Sequence, residues 1–154
     1  MKKLISFVLI LVSVLGLVGC GINGKETLHI EFCEWKMRAV MSNDAELADD
    51  DALVVAVGVP DELYPDAKVV DMTLTADHGE ITLVDATNNK TYTGTYEIKE
   101  ETSKEILYEI TLDGITGYAA LSPTDYYDGT QIPTLPINLG EYSVYFLPNE
   151  STAN

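Results

Sequence analysis

Residues 91–114 read TYTGTYEIKEETSKEILYEITLDG. Tyr92, Gly94, Tyr96 and Ile98 alternate with Thr91, Thr93, Thr95 and Glu97, and Ile106, Tyr108, Ile110 and Leu112 alternate with Leu107, Glu109 and Thr111. A period of two sends successive side chains to opposite faces of a pleated strand. Apolar residues on one face and Thr or Glu on the other describe an antiparallel strand with one side on a core and one in water. Asp113-Gly114 is a hairpin dipeptide, because a tight turn between twisted strands favours positive φ at both central residues. It leads into another strand over 115–121.

The same signal extends in both directions. Upstream, Val70, Met72, Leu74 and Ala76 alternate with Asp71, Thr73 and Thr75, and the turn signal His78-Gly79 precedes a strand over 80–84. Earlier still, Leu28, Ile30 and Phe32 share one parity, while Trp35, Met37, Ala39 and Met41 share the other, with Lys36 and Arg38 between them. That switch near Cys33-Glu34 predicts a bulge or a break between strands. Downstream lie 132–139 and then Tyr142, Val144 and Phe146. Seven or eight short strands rich in Thr, Tyr, Val and Ile, roughly ten to fifteen residues apart, describe an all-β antiparallel meander of about eight strands. Closing it into an up-and-down barrel removes the exposed edges, and a two-sheet sandwich is the alternative. Residues 42–67 break the pattern. They hold Asp44, Glu46 and Asp49-Asp50-Asp51, then the apolar run ALVVAVGV over 52–59. That run fits a buried strand or a short helix across a barrel mouth, and periodicity does not separate the two.

The N-terminus carries a different message. Lys2 and Lys3 precede an uncharged apolar run of fifteen residues, 4–18. A membrane-spanning helix needs roughly 20 apolar residues, so the run suits the cleaved hydrophobic region of an export signal. It ends in Leu17-Val18-Gly19-Cys20, which resembles the lipobox of bacterial lipoproteins. The resemblance implies a signal peptide over 1–19, diacylation of the Cys20 thiol, and cleavage that leaves lipidated Cys20 as the first residue. Two or more acyl chains anchor a protein stably to a membrane. The expected organisation is signal 1–19, a polar tether 20–27, one β domain 28–148 and a tail 149–154, on the extracytoplasmic face of a bacterial membrane.

The chain has 154 residues, 9 Lys+Arg against 25 Asp+Glu, and a formal charge of −16. Cleavage before Cys20 leaves 135 residues with seven basic against 25 acidic side chains, a charge of −18. Such a chain lacks the clustered Lys and Arg that track nucleic-acid phosphates, which excludes that class of partner. It repels anionic polymers and attracts cations and basic proteins. With Cys20 committed to lipid, Cys33 has no internal disulfide partner. Its setting, Phe32-Cys33-Glu34-Trp35, reads as a buried small hydrophobe.

Catalytic motifs are missing. His29 and His78 lie in no motif, and there is no nucleophile elbow, phosphate loop or zinc-helix signature, so the sequence argues against an enzyme and calls for no cofactor. Asp49-Asp50-Asp51 and the stretch Asp85, Thr87, Asn88, Asn89 offer oxygen donors but without calcium-loop spacing, and they read as solvated turns. Nine Tyr against three Phe is a marked skew. Tyr126-Tyr127-Asp128-Gly129 forms a loop, and Tyr92, Tyr96 and Tyr108 share a core-facing parity.

The motifs Glu34-Trp35-Lys36-Met37, Leu83-Val84-Asp85, 92–96 (YTGTY), 108–114 (YEITLDG) and 142–146 (YSVYF) together resemble small lipocalin-like lipoproteins of bacteria, although lipocalins carry Gly where Cys33 stands. The resemblance implies an eight-stranded barrel that holds a small apolar ligand, with Trp35, Tyr92, Tyr96 and Tyr108 as candidate ligand contacts. The other functional expectation is an acidic surface that engages a basic protein.

Overall fold

The computed structural model describes residues 28–43, 54–56, 66–125 and 129–149. The lipobox with Cys20, the Asp49–Asp51 run and the Tyr126-Tyr127-Asp128 loop lie outside them.

A 3₁₀ turn, Ile30–Phe32, precedes ten strands: β1 Trp35–Ser42, β2 Val54–Ala56, β3 Lys68–Val70, β4 Met72–Asp77, β5 Glu80–Asp85, β6 Lys90–Glu101, β7 Ile106–Leu112, β8 Ile115–Asp125, β9 Gln131–Leu139 and β10 Tyr142–Pro148. From β4 to β10 each strand pairs antiparallel with the next, and β1 closes the ring by pairing β10 along its length and β4 at Trp35 and Lys36. The result is a closed eight-stranded up-and-down barrel of β1 and β4 to β10, so the sandwich alternative does not apply.

Local chemistry sets the turns. His78 (φ 48) with Gly79 (φ 84) and Asp113 (φ 50) with Gly114 (φ 80) occupy the left-handed region that two-residue hairpins require. The β5–β6 loop is closed differently. The Asp85 carboxylate accepts from the Asn88 amide N–H at 2.9 Å and from the Asn88 side chain at 2.7 Å, and Asn89 (φ 52) completes the reversal. Asp71 ties this loop to β4, its carbonyl accepting from Ala86 N at 2.8 Å.

Inside the ring, a Cβ at Gly94 would lie 1.8 Å from the Thr111 carbonyl oxygen, and one at Gly117 would lie 1.9 Å from that of Asn138. Glycine at these two places lets β6 close on β7 and β8 on β9, which a small coiled barrel demands. The core is the barrel interior: Trp35, Met37, Leu74, Ile81, Ile106, Tyr108, Ile110, Leu135, Ile137 and Phe146 are buried, while Thr75, Thr91, Thr93, Thr95 and Glu97 face out. Apolar inside and polar outside is the reverse of a membrane-spanning barrel. No helix among the described residues is long and apolar enough to cross a membrane.

Several expectations need correction. The alternation of Leu28, Ile30 and Phe32 does not form a strand; only Ile30 is buried, in a 3₁₀ turn, and Phe32 is 52% exposed. In β1 the register shifts between Met37 and Ala39, so Arg38 is an extra residue and the faces exchange beyond it. Val40, opposite Val144, then faces the core in place of Ala39 and Met41. In β6 a second shift between Ile98 and Glu100 leaves Ile98 45% exposed. Within the ambiguous run 52–59, Val54–Ala56 is strand. It pairs antiparallel with β1 and parallel with β3, an arrangement outside the expected meander. Cys33 is half-buried against the core, not fully buried.

Candidate functional site: the accessible end of the barrel

The two ends of the barrel differ. At one end the N-terminal segment plugs the interior. Ile30 is fully buried: its N–H donates to the Tyr108 hydroxyl at 3.1 Å, and its carbonyl accepts from the Trp35 indole N–H at 2.8 Å. Tyr96 meets Tyr108 edge-to-face at 5.8 Å and 72°, and donates its hydroxyl to Glu31 on the same turn. Burial, and then the hydrogen bond to Glu31, push the Tyr96 phenol up to about 12. Burial likewise raises Tyr108. Three of the four candidate aromatics, Trp35, Tyr96 and Tyr108, therefore converge on this plug. Trp35, Met37, Leu74, Ile106, Tyr108, Ile110 and Leu135 are fully buried, so the interior beneath the plug is filled by packed side chains.

At the other end, where β1, β5, β7 and β9 finish, several inward side chains remain partly accessible. Val40 (β1), Val54 (β2), Met72 (β4), Tyr92 (β6), Leu139 (β9) and Val144 (β10) pack on the core without being sealed by it. The fourth candidate aromatic, Tyr92, belongs to this ring and not to the plug. At this end β2 joins the ring. Near the plug β1 pairs directly with β4, but toward the accessible end β2 is inserted between β1 and β3, the strand that runs on through Asp71 into β4. Eight strands thus surround the floor and a ninth joins them at the rim.

Asp85 is the charged group of the rim. It lies opposite Met72 on the inward face and is buried. Burial acts against its charge. Hydrogen bonds from the Asn88 side chain and backbone and the Thr87 backbone, together with Lys90, outweigh that and hold its carboxyl below the ordinary value. The sequence places this residue in a solvated turn, whereas the structure buries it. What placed it on the inward parity was already visible: it continues the alternation of Ile81 and Leu83. The Lys36–Asp71 ion pair lies on the outer wall beside the β2 insertion.

Among the described residues no group of three or more His, Cys, Asp or Glu side chains is placed to hold a metal. His78 sits on the exposed β4–β5 turn beside Asp77, and His29 lies 3.7 Å from Glu101 at the plugged end. The described residues thus define an all-β closed antiparallel barrel with one packed end and one accessible apolar end, an architecture compatible with a lipocalin-like binding domain. No family model, no curated protein and no solved structure matches the chain.

Proposed function

We propose that the protein is a membrane-anchored extracytoplasmic lipoprotein, held by lipid on Cys20, whose barrel binds a small apolar ligand at its accessible end. The observation that carries the binding role is the ring of Val40, Val54, Met72, Tyr92, Leu139 and Val144 around a fully packed floor. Binding sites for small molecules are concave and mostly apolar, with few polar groups, and the mouth of a β-barrel is a common location. Here the Tyr92 hydroxyl supplies polarity, while Trp35, Tyr96 and Tyr108 build the floor and the plug beneath it. The reading involves no cofactor, no catalysis and no nucleic acid.

A neutral fluorescent probe, N-phenyl-1-naphthylamine, tests the site. Saturable one-to-one binding is expected, with Val144→Trp abolishing it by filling the ring. Absence of saturable binding, or binding that Val144→Trp leaves unchanged, refutes the site. Mass spectrometry of the membrane-extracted protein tests the anchor separately: an N-terminus other than acylated Cys20 refutes it.

A second reading, engagement of a basic protein, draws on the acidic residues around the plug, Glu31, Asp77, Glu97, Glu100 and Glu101, all exposed. Such binding must weaken as salt screens the surface. A complex that survives high salt unchanged argues against it.

A further inference from the structure

The outer wall is not uniform. On β5 to β7 the outward positions include Glu80, Glu97, Lys99 and Glu109. On the three adjacent strands β8, β9 and β10 they are Thr116, Tyr118, Ala120, Ser122 and Thr124, then Ile132, Thr134, Pro136 and Asn138, then Ser143, Tyr145 and Leu147. None of these twelve is charged, in a chain whose formal charge is −16. Two rings stand out of this wall, Tyr118 at 50% exposure and Tyr145 at 40%.

The pairing fixes their spacing. Tyr118 lies opposite Asn138, which lies opposite Ser143, and Tyr145 is two residues beyond Ser143 on β10. Two strand spacings and a two-residue offset separate the Cα atoms by roughly 12 Å. Between them lie the short side chains of Ala120 and Pro136, so the ground between the rings is low. Neither phenol makes a hydrogen bond among the described residues.

The amide of Asn138 is held ready beside them. The Ser143 hydroxyl lies 2.5 Å from Asn43 Oδ1 and 2.5 Å from Asn138 Oδ1. Asn43 is oriented by donating its Nδ2 to the Gly140 carbonyl at 3.2 Å. The Asn138 amide oxygen is thereby engaged at Ser143, and its Nδ2 makes no hydrogen bond among the described residues. That leaves the Asn138 Nδ2 as a donor for a ligand.

We propose that this β8–β10 wall docks an uncharged carbohydrate chain, with sugar rings lying on Tyr118 and Tyr145 and a hydroxyl accepting from Asn138 Nδ2. Aromatic side chains with one apolar face and one polar tip suit ligands that are apolar on one side and hydroxylated at the edge. The field of an acidic protein repels polyanions, which leaves a neutral polymer as the complement of a neutral wall. Area argues in the same direction. Three strands along the seven residues of β10 present roughly 350 Å², well below the approximately 800 Å² that each partner contributes to a stable protein–protein interface. A few sugar rings need no more than this. The proposal is independent of the barrel interior.

Isothermal titration of the full processed protein with cellohexaose, maltohexaose and chitohexaose provides the test. Saturable binding to at least one is expected, unaffected by added salt because no charge pairs are made. Tyr118→Ala and Tyr145→Ala should each weaken it about tenfold, the loss usual for a central aromatic contact. Val84→Ala, on the opposite wall, should leave it unchanged, and equal melting temperatures show that all three variants fold. Failure to bind all three sugars overturns the proposal, as does wild-type affinity in both tyrosine variants. A dimer in sedimentation that either tyrosine variant converts to a monomer, without sugar binding, assigns the wall to self-association instead.

Discussion

Replacing Tyr108 with Phe isolates one hydrogen bond of the plug. The ring stays, along with its edge-to-face contact with Tyr96 at 5.8 Å. Only the hydroxyl that accepts from Ile30 N at 3.1 Å is removed. Ile30 has no exposed surface, so its N–H cannot turn to solvent. The space vacated by one oxygen is too small to hold a water that would substitute. A buried donor left without a partner costs about 1–3 kcal/mol. At the middle of that range, about 2 kcal/mol, and about 4 °C per kcal/mol for a domain of this size, the melting temperature should fall by roughly 8 °C. Thermal unfolding measures the total, and amide hydrogen exchange at Ile30 locates it: that amide should be protected in the wild type and exchange much faster in Tyr108→Phe. Binding at the opposite end of the barrel should be retained in the folded variant. A melting shift below about 2 °C together with unchanged exchange at Ile30 would refute the plug as a hydrogen-bonded clamp.

Further outcomes follow from other parts of the barrel. Gly94→Ala places a methyl 1.8 Å from the Thr111 carbonyl, so β6 and β7 must separate; a loss of about 3 kcal/mol or more in urea unfolding is expected, at the upper end of overpacking effects. Asp85→Asn sets an amide against the Asn88 amide and should cost about 1–3 kcal/mol at neutral pH. Because the Asp85 carboxyl is held below its ordinary value, this contribution is present above about pH 4 and disappears as pH falls below it, so the gap between wild type and Asp85→Asn in urea midpoints should close at low pH. Tyr96 runs the other way. Its phenol is raised to about 12, so its contribution is intact below about pH 10 and is lost as pH rises through 12. Alkaline titration of phenolate absorbance should show one fewer late-titrating ring in Tyr96→Phe, and an earlier titration of Tyr96 in Glu31→Gln.

Much of the barrel is legible in the sequence because its strands are half-buried. The run that became β4 alternates apolar and polar residues throughout, the run that became β7 does so apart from Leu107, and Asp113-Gly114 and His78-Gly79 carry their turn geometry in their own residue types. The errors fall where alternation is kept in the sequence but broken in space. Lys36, Met37, Arg38 and Ala39 look like an uninterrupted strand, yet Arg38 bulges out against β10 and exchanges the faces beyond it. Leu28, Ile30 and Phe32 have the spacing of a strand, but Ile30 is needed as a stopper between Trp35 and Tyr108, and a 3₁₀ turn delivers it there. Each candidate aromatic falls on a core-facing position of its own strand. Parity says that a side chain points inward, not how far along the barrel axis it lies. Trp35, Tyr96 and Tyr108 gather at the plug, and Tyr92 stands at the accessible rim.

Sequence alone determined which residues face in and which face out along most strands, since hydrophobic periodicity is a local property of the backbone. It likewise set the polar outer surface and the acidic charge. Only the tertiary structure decided which strands become neighbours and at what register. That step inserts β2 between β1 and β3, separates a packed floor from an accessible rim, and brings Tyr118, Asn138 and Tyr145 onto one uncharged wall. The physical reason is that these features arise from backbone hydrogen bonds between distant segments. Every residue offers the same donor and acceptor to such bonds, so the side-chain pattern of a single strand does not name its partner.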